Sequence, residues 1–350
     1  MSSKKFRASV VEKPLSIEEQ QAKINEVRKL ISPTADKLPA LFSDASISRY
    51  LRARNWNTKK ACKMLKETFK WRMEYKPEKI CWDDIAREAE TGKIYRSNYL
   101  DNYGRTVLVM RPGLQNSNST TGQIKYLVYC MENAVMNLPP GQEQMVWLID
   151  FQGWNKSSIS VKVTRETAHI LQNHYPERLG RAIFYNPPKI FESFWSMVKP
   201  FLESKTSKKV KFVYSDDPES QKVMGELFDM EKLESAFGGR NPKGFDYKEY
   251  SERMREDDKK MSDFINSGYS TTPSHQPSTS DHASEEPSDA TSSSSPSSPY
   301  SSSSDKECYP KLEGTEDYTL DEKIQDQIRC KDSEKDVTEA HETDVTQMSH

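Results

Sequence analysis

The sequence predicts an α/β fold: a mostly parallel sheet covered by helices, with a small helical subdomain before it and a disordered tail after it. Three observations carry this. Between residues 91 and 250, short continuous apolar runs alternate with longer helix-like segments, the pattern of parallel strands buried on both faces. The first 90 residues show helical periodicity only. Beyond residue 269 large apolar side chains almost disappear.

The elements follow in order. Residues 1–14 are expected to be flexible. Residues 15–90 form the helical subdomain. "SIEEQQAKINEVRKLI" opens with Ser16 as N-cap and Glu19 three residues on, a capping box. "SDASISRYLRARNW" and "NTKKACKMLKETFKWRMEY" follow. The latter spaces Ala61, Met64, Leu65, Thr68, Phe69 and Met73 for one helix face, with Asn57 or Thr58 as cap. Within 91–250, "RTVLVMRP", "QMVWLIDF", "RAIFYNPP" and "KVKFVYS" read as strands. "GQIKYLVYCMENAVMNL", "SVKVTRETAHILQNHY" and "KIFESFWSMVKPFLES" read as the helices between them. Pro187 and Pro188 end the third strand. Residues 251–268 read as a charged, exposed helix. Residues 269–350 are Ser-rich and then acidic, and disorder is the expectation there.

Composition narrows the function. The hydrophobic fraction is 34% over 350 residues, low for a chain folded throughout. Net charge is −2, but residues 305–350 hold 14 acids and 6 bases, which leaves the first 304 residues at +6. Such a mild surplus suits an anionic surface and does not call for nucleic acid. The N-terminus lacks a signal-peptide core, and no run reaches the roughly 18 apolar residues of a membrane span. A soluble, cytoplasmic protein is expected. The five cysteines show no CxxC spacing, consistent with free thiols.

Reaction signatures are missing. The chain has no GxxxxGK[ST], no GxGxxG after a strand, no GxSxG and no HExxH. No enzyme, cofactor or metal is expected, with His169 and His174 read as ordinary helix residues. Asp150, at the end of an apolar strand, is read as a turn residue.

One stretch resists a bland reading. "KIFESFWSMVKPFLESKTSKKVKFVYS" sets bulky apolar residues beside Lys205, Lys208, Lys209 and Lys211. Ile190, Phe191, Phe194, Trp195, Met197, Val198, Phe201 and Leu202 cover more than one helical stripe of about 100°. Such a helix is buried all round or works at an interface.

Three strings together resemble the CRAL-TRIO lipid-binding family, and most closely its yeast-type phosphatidylinositol transfer proteins. They are "YLRARNWNTKKACKMLKETFKWR", "LQNHYPERLGRAIFYNPPKIFESFWSMVKPFL" and "FGGRNP", within about residues 30–245. The resemblance implies the CRAL-TRIO fold, in which sheet and helices enclose a hydrophobic cavity for one lipid. It implies that the Lys189–Leu202 segment gates this cavity and touches membranes through Phe191, Phe194, Trp195, Val198 and Phe201. It implies a phosphoinositide head-group site at Arg54, Glu177, Thr206 and Lys209. Arg54 and Lys209 would then supply charge-assisted donors to a phosphodiester. Glu177 would accept from inositol hydroxyls or hold Lys209, and Thr206 would offer a neutral hydroxyl. Family members often have a lysine where this chain has Asn55. Members that also carry phosphatidylcholine have small hydroxyl residues where this chain has the cavity-lining Met145 and Trp147, so phosphatidylcholine is not expected as second ligand.

The reading is therefore a monomeric carrier that binds phosphatidylinositol, meets anionic membranes transiently and serves lipid kinases. Two others stay open: a carrier of a sterol, tocopherol or retinoid, and a lipid-sensing adaptor acting through its tail.

Overall fold

A computed structural model of the chain describes residues 14–31, 37–155, 160–199 and 204–266. The flexible segment expected over 1–14, save residue 14, and the tail expected over 269–350 lie outside the described residues.

The N-terminal helices form as their sequences direct. α1 (Ile17–Ile31) starts on the predicted box: Ser16 N–H donates to Glu19 Oε2 at 2.7 Å, and Glu19 N–H to Ser16 Oγ at 3.2 Å. α2 (Asp44–Ala53) is capped by Ser43. α3 (Thr58–Tyr75) is capped by Asn57, whose side chain accepts from Lys60 N–H at 2.9 Å, which settles the choice between Asn57 and Thr58. Val27, Ile31, Ile47, Leu51 and Leu65 give these helices a fully buried core of their own. Met73, assigned to that inner face from sequence, is 42% exposed.

α3 is then fastened to the rest. Arg72 donates to both oxygens of Glu132 at 2.9 and 2.8 Å, and the Tyr175 hydroxyl donates to the same carboxylate at 2.6 Å. Burial works against the charge on Glu132, but the Arg72 guanidinium outweighs it and holds the carboxyl below its ordinary range. Beside this pair, Thr68 Oγ1 donates to the Asn173 carbonyl at 2.9 Å and His174 stacks on Trp71 at 4.2 Å.

The sheet has strand order β1-β2-β3-β4-β5. β2 (Thr106–Met110), β3 (Met145–Asp150), β4 (Leu179–Tyr185) and β5 (Val210–Val213) are parallel and match the four expected strands. α4 (Trp82–Ala89) leads into a fifth strand that the sequence reading lacks: β1 (Ile94–Leu100), antiparallel to β2. The crossovers run through α5 (Thr120–Met136), α6 (Val161–His174), and the pair α7 (Lys189–Val198) and α8 (Ser204–Ser207); α9 (Pro218–Leu227) follows β5.

The pleat divides the sheet into two unlike faces. On one, Val107, Val109, Val146, Leu148, Ile183 and Val213 have no exposed surface. On the other, Met110, Trp147, Ile149, Phe184 and Phe212 are only half-buried. α7 lies over this second face, with Phe191 5.4 Å and Trp195 5.2 Å from the Phe184 ring.

The expectation of an exposed helix over 251–268 needs correction. α10 (Tyr247–Asn266) exists, but Tyr250, Met254 and Asp257 are buried. Two of its acids are taken up by distant partners. Asp257 pairs with Arg96 at 2.6 Å and accepts from Asn133 at 3.0 Å. Asp258 accepts from Trp82 N–H at 2.6 Å and the Tyr129 hydroxyl at 2.9 Å. α10 also covers the sheet edge. Arg96 N–H donates to the Tyr250 hydroxyl at 3.2 Å, and Arg253 donates to the Arg96 carbonyl.

Burial opposes the charge on Asp257, but Lys260 and Arg96 prevail and lower its pKa. Its stabilising share is therefore present above the ordinary carboxylate range and lost as pH falls through the lowered folded value. Asp257→Ala should cost about 3–5 kcal/mol by leaving Arg96 buried without its carboxylate. Urea unfolding at neutral pH measures this, and the gap between the two proteins should close in acid.

Candidate functional site

The four residues assigned to a head-group site come from three chain segments, and the fold brings those segments to one corner. Glu177 sits in the turn from α6 to β4 with φ of 58°, a left-handed conformation that costs a non-glycine residue about 1–2 kcal/mol. The turn directs its carboxylate to Lys209, 3.6 Å away. Lys209 Nζ also donates to the Leu179 carbonyl at 2.7 Å, and its backbone N–H donates to the Thr206 carbonyl at 3.0 Å. Glu177, Thr206 and Lys209 thus form one connected group, half-buried at the entry to β4 and β5.

Arg54 joins through its neighbours. Lys205, beside Thr206 on α8, donates to the Arg52 carbonyl at 3.2 Å and to Asn55 Oδ1 at 3.0 Å. The α2–α3 turn that carries Arg54 is thereby tied to the helix that carries Thr206. Arg54 itself is half-buried and donates to the Ala53 carbonyl at 3.2 Å.

The turn also explains Asn55. Trp56 N–H donates to the Leu51 carbonyl at 2.7 Å and Asn55 N–H to the Arg52 carbonyl at 3.3 Å, the two bonds of a Schellman helix end. Asn55 occupies its left-handed position with φ of 49°, where asparagine is tolerated better than lysine. Asn55 thus accommodates the left-handed turn and supplies an acceptor for Lys205.

Arg178, next to Glu177, turns elsewhere and forms no pair with it. It donates to the Glu143 carbonyl at 3.0 Å, while the Glu143 carboxylate takes Arg49 at 2.8 Å and Arg52. Burial and the nearby Arg49 push Arg178 down to about 10. Glu143 went unassigned in the sequence reading; it lies in a loop some 90 residues from its arginine partners, and no local pattern marks it.

The segment expected to act as a gate is placed in part. Phe191 contacts Phe151 at 4.4 Å and Trp154 at 5.6 Å, and Trp195 reaches Phe212 at 6.2 Å. These rings make an aromatic cluster over the half-buried face. Phe194 and Val198 belong to α7, but their side chains, and all of Phe201 and Leu202, lie outside the described residues. Of the two residues assigned to the cavity lining, which share one sheet face, Met145 is fully buried in the main core and Trp147 is half-buried.

Asp150 closes a turn by accepting from Gln152 N–H at 2.9 Å and meets Arg111 at 3.4 Å. His174, packed between Trp71 and Thr68, is pushed down to about 3, chiefly by burial. Among the described residues, no group of His, Cys, Asp and Glu is arranged to hold a metal ion, and no helix is long and apolar enough to cross a membrane.

The turn yields a test. Asn55→Gly should preserve or slightly raise stability, whereas Asn55→Lys should lower it by roughly 1 kcal/mol, because lysine must adopt the left-handed conformation. Thermal melts of the two variants check the order.

Comparison with known proteins places this architecture. A family model described as CRAL/TRIO domain matches residues 89–239, and one described as CRAL/TRIO, N-terminal domain matches residues 23–67. The SEC14 cytosolic factor of Kluyveromyces lactis is 30% identical over 243 residues, covering 64% of this chain and 79% of that protein. The phosphatidylinositol transfer protein PDR17 of Saccharomyces cerevisiae is 35% identical over 199 residues; 53% of this chain matches 56% of that protein, little more than half its length. Among solved structures, the crystal structure of Sfh5 covers 68% of this chain and 92% of its own with a TM-score of 0.54. Its 16% identity makes that a likeness of fold alone. With a helical N-terminal module, a mostly parallel sheet and these matches along both, the chain belongs to the CRAL/TRIO family.

Proposed function

We propose that this protein binds one phospholipid, phosphatidylinositol, and transfers or presents it between membranes. Its relatives include a protein named for phosphatidylinositol transfer. The observation that carries the specific ligand is the Glu177–Lys209 pair at 3.6 Å, joined to Thr206 and to the turn bearing Arg54. A phosphodiester needs cationic donors, and Lys209 and Arg54 supply them. Inositol is a ring of hydroxyls, and the Glu177 carboxylate accepts from such groups while keeping Lys209 oriented.

The half-buried sheet face and α7 suit the acyl chains. Burying a CH₂ contributes about 0.8 kcal/mol against water, and a bilayer supplies the same. Chain burial then nearly cancels between carrier and membrane, so exchange is feasible and selectivity falls to the head-group corner. With Met145 buried and Trp147 on the open face, no hydroxyl at these positions awaits phosphatidylcholine. We place the protein in the cytoplasm as a monomer, touching anionic membranes transiently and supplying lipid kinases, with no chemistry of its own.

Mass spectrometry of an organic extract of the purified chain should find phosphatidylinositol; recovery of only sterol or fatty acid overturns the reading. Glu177→Gln and Lys209→Ala should each lower phosphatidylinositol transfer between vesicles about 10- to 100-fold, the range for one charged hydrogen bond. Transfer at the unaltered rate would reject the corner as the head-group site.

A further inference from the structure

The solvent side of α3 carries a row of lysines that its packing does not use. The helix packs through Ala61, Met64, Leu65 and Thr68. Opposite them, Lys59, Lys63, Lys66 and Lys70 are all exposed, Lys63 and Lys70 at 81% and 77%. At 3.6 residues per turn the four fall within about 60° of arc along about 17 Å of helix.

The row disfavours the helix that bears it. Lysines at i+3 and i+4 repel one another. Glu67 and Glu74 stand to the side and approach Lys63 and Lys70 only to 3.9 Å. The first turn of α3 contains Lys59 and Lys60 and no acid, against the helix dipole. α1, α2, α4, α9 and α10 each place an acid there, whereas α5 and α6, like α3, place none. The positive pole of α3 and its lysines therefore reinforce each other. They do so beside the corner where Lys205 meets Asn55, two residues before the Asn57 cap. Lys205 and Lys208 are exposed there, just after the gate segment.

We infer that the α3 lysine row, continuous with the basic edge at Lys205 and Lys208, is a docking surface for an anionic bilayer. The row is long and exposed, so it suits a plane of many phosphates better than a single bound group. Lysine, a compact hydrated charge on a flexible stem, suits such a diffuse partner. Basic residues near a charged membrane surface act additively. The inference rests on the lipid-transfer reading only in that a carrier must meet membranes; none of the four lysines belongs to the head-group corner.

The test is co-sedimentation of the full chain with phosphatidylcholine vesicles, with and without phosphatidylserine. The unaltered protein should prefer phosphatidylserine vesicles and lose that preference in high salt. Replacing Lys59, Lys63, Lys66 and Lys70 together by Gln, a good helix former, should reduce this binding at least about tenfold. Replacing the same four by Arg should retain it. A control that removes equal charge elsewhere, at Lys222, Lys232, Lys243 and Lys248, should change it little. Equal loss in the control, unaltered binding by the Gln variant, or a loss confined to an acidic protein in place of vesicles would each overturn the inference. The Gln variant should still yield phosphatidylinositol on extraction. Absence of that lipid from both proteins would instead count against the proposed ligand.

Discussion

The fold depends on the ion pair between Arg72 and Glu132. It joins α3, the last long helix of the N-terminal group, to α5 on the sheet, and Tyr175 completes it from the end of α6. An apolar contact at this seam would tolerate sliding; a two-pronged guanidinium–carboxylate pair does not. A buried pair of this kind adds little net stability over well-packed apolar residues, and its worth lies in fixing one arrangement. Glu177 is two residues beyond Tyr175, and Arg54 stands at the turn just before α3. The pair therefore helps to set the position of one relative to the other, together with the Glu143 pairs of Arg49 and Arg52 and the Lys205 contacts to the α2–α3 turn.

Around that seam the sheet works as a two-sided partition. One face is packed over most of its extent by branched aliphatic residues with no exposed surface, with Arg181 and Lys211 at its margin. The other carries Trp147, Phe184 and Phe212 only half-buried, with α7 laid across it. α7 is thus held chiefly through aromatic rings, Phe184 and Phe212 among them, that lie at the margin of the main core.

Much of this was legible in the sequence, for local reasons. Ser16 and Glu19 announce the start of α1 because both partners of the cap lie within one turn. The four parallel strands stand out as continuous apolar runs because both their faces are covered. β1 escapes the pattern because the buried face of "IYRSNYL" carries polar Ser97 between Tyr95 and Tyr99, while apolar Leu100 stands exposed. α10 reads as exposed because its acids look like a solvated face; Arg96, Asn133, Trp82 and Tyr129, which take up Asp257 and Asp258, are over 120 residues away. At the candidate corner, residue identity suggested Glu177 and Lys209 as partners. That Asn55 is a helix end and an acceptor for Lys205 needed backbone angles and contacts that no spacing reveals.

The docking of α10 bears on how the chain comes to be folded. β1 pairs with β2 early in the sequence, yet its outer edge is closed by Tyr250 and Arg253 near the end of the described fold. During synthesis the first strand therefore waits with open backbone groups while some 150 further residues are made. An uncovered strand edge is a template for other chains. The polar side chains interleaved in β1 also make it a poor template. Arg96 and Asn98 keep the waiting edge in water until the helix that covers it arrives.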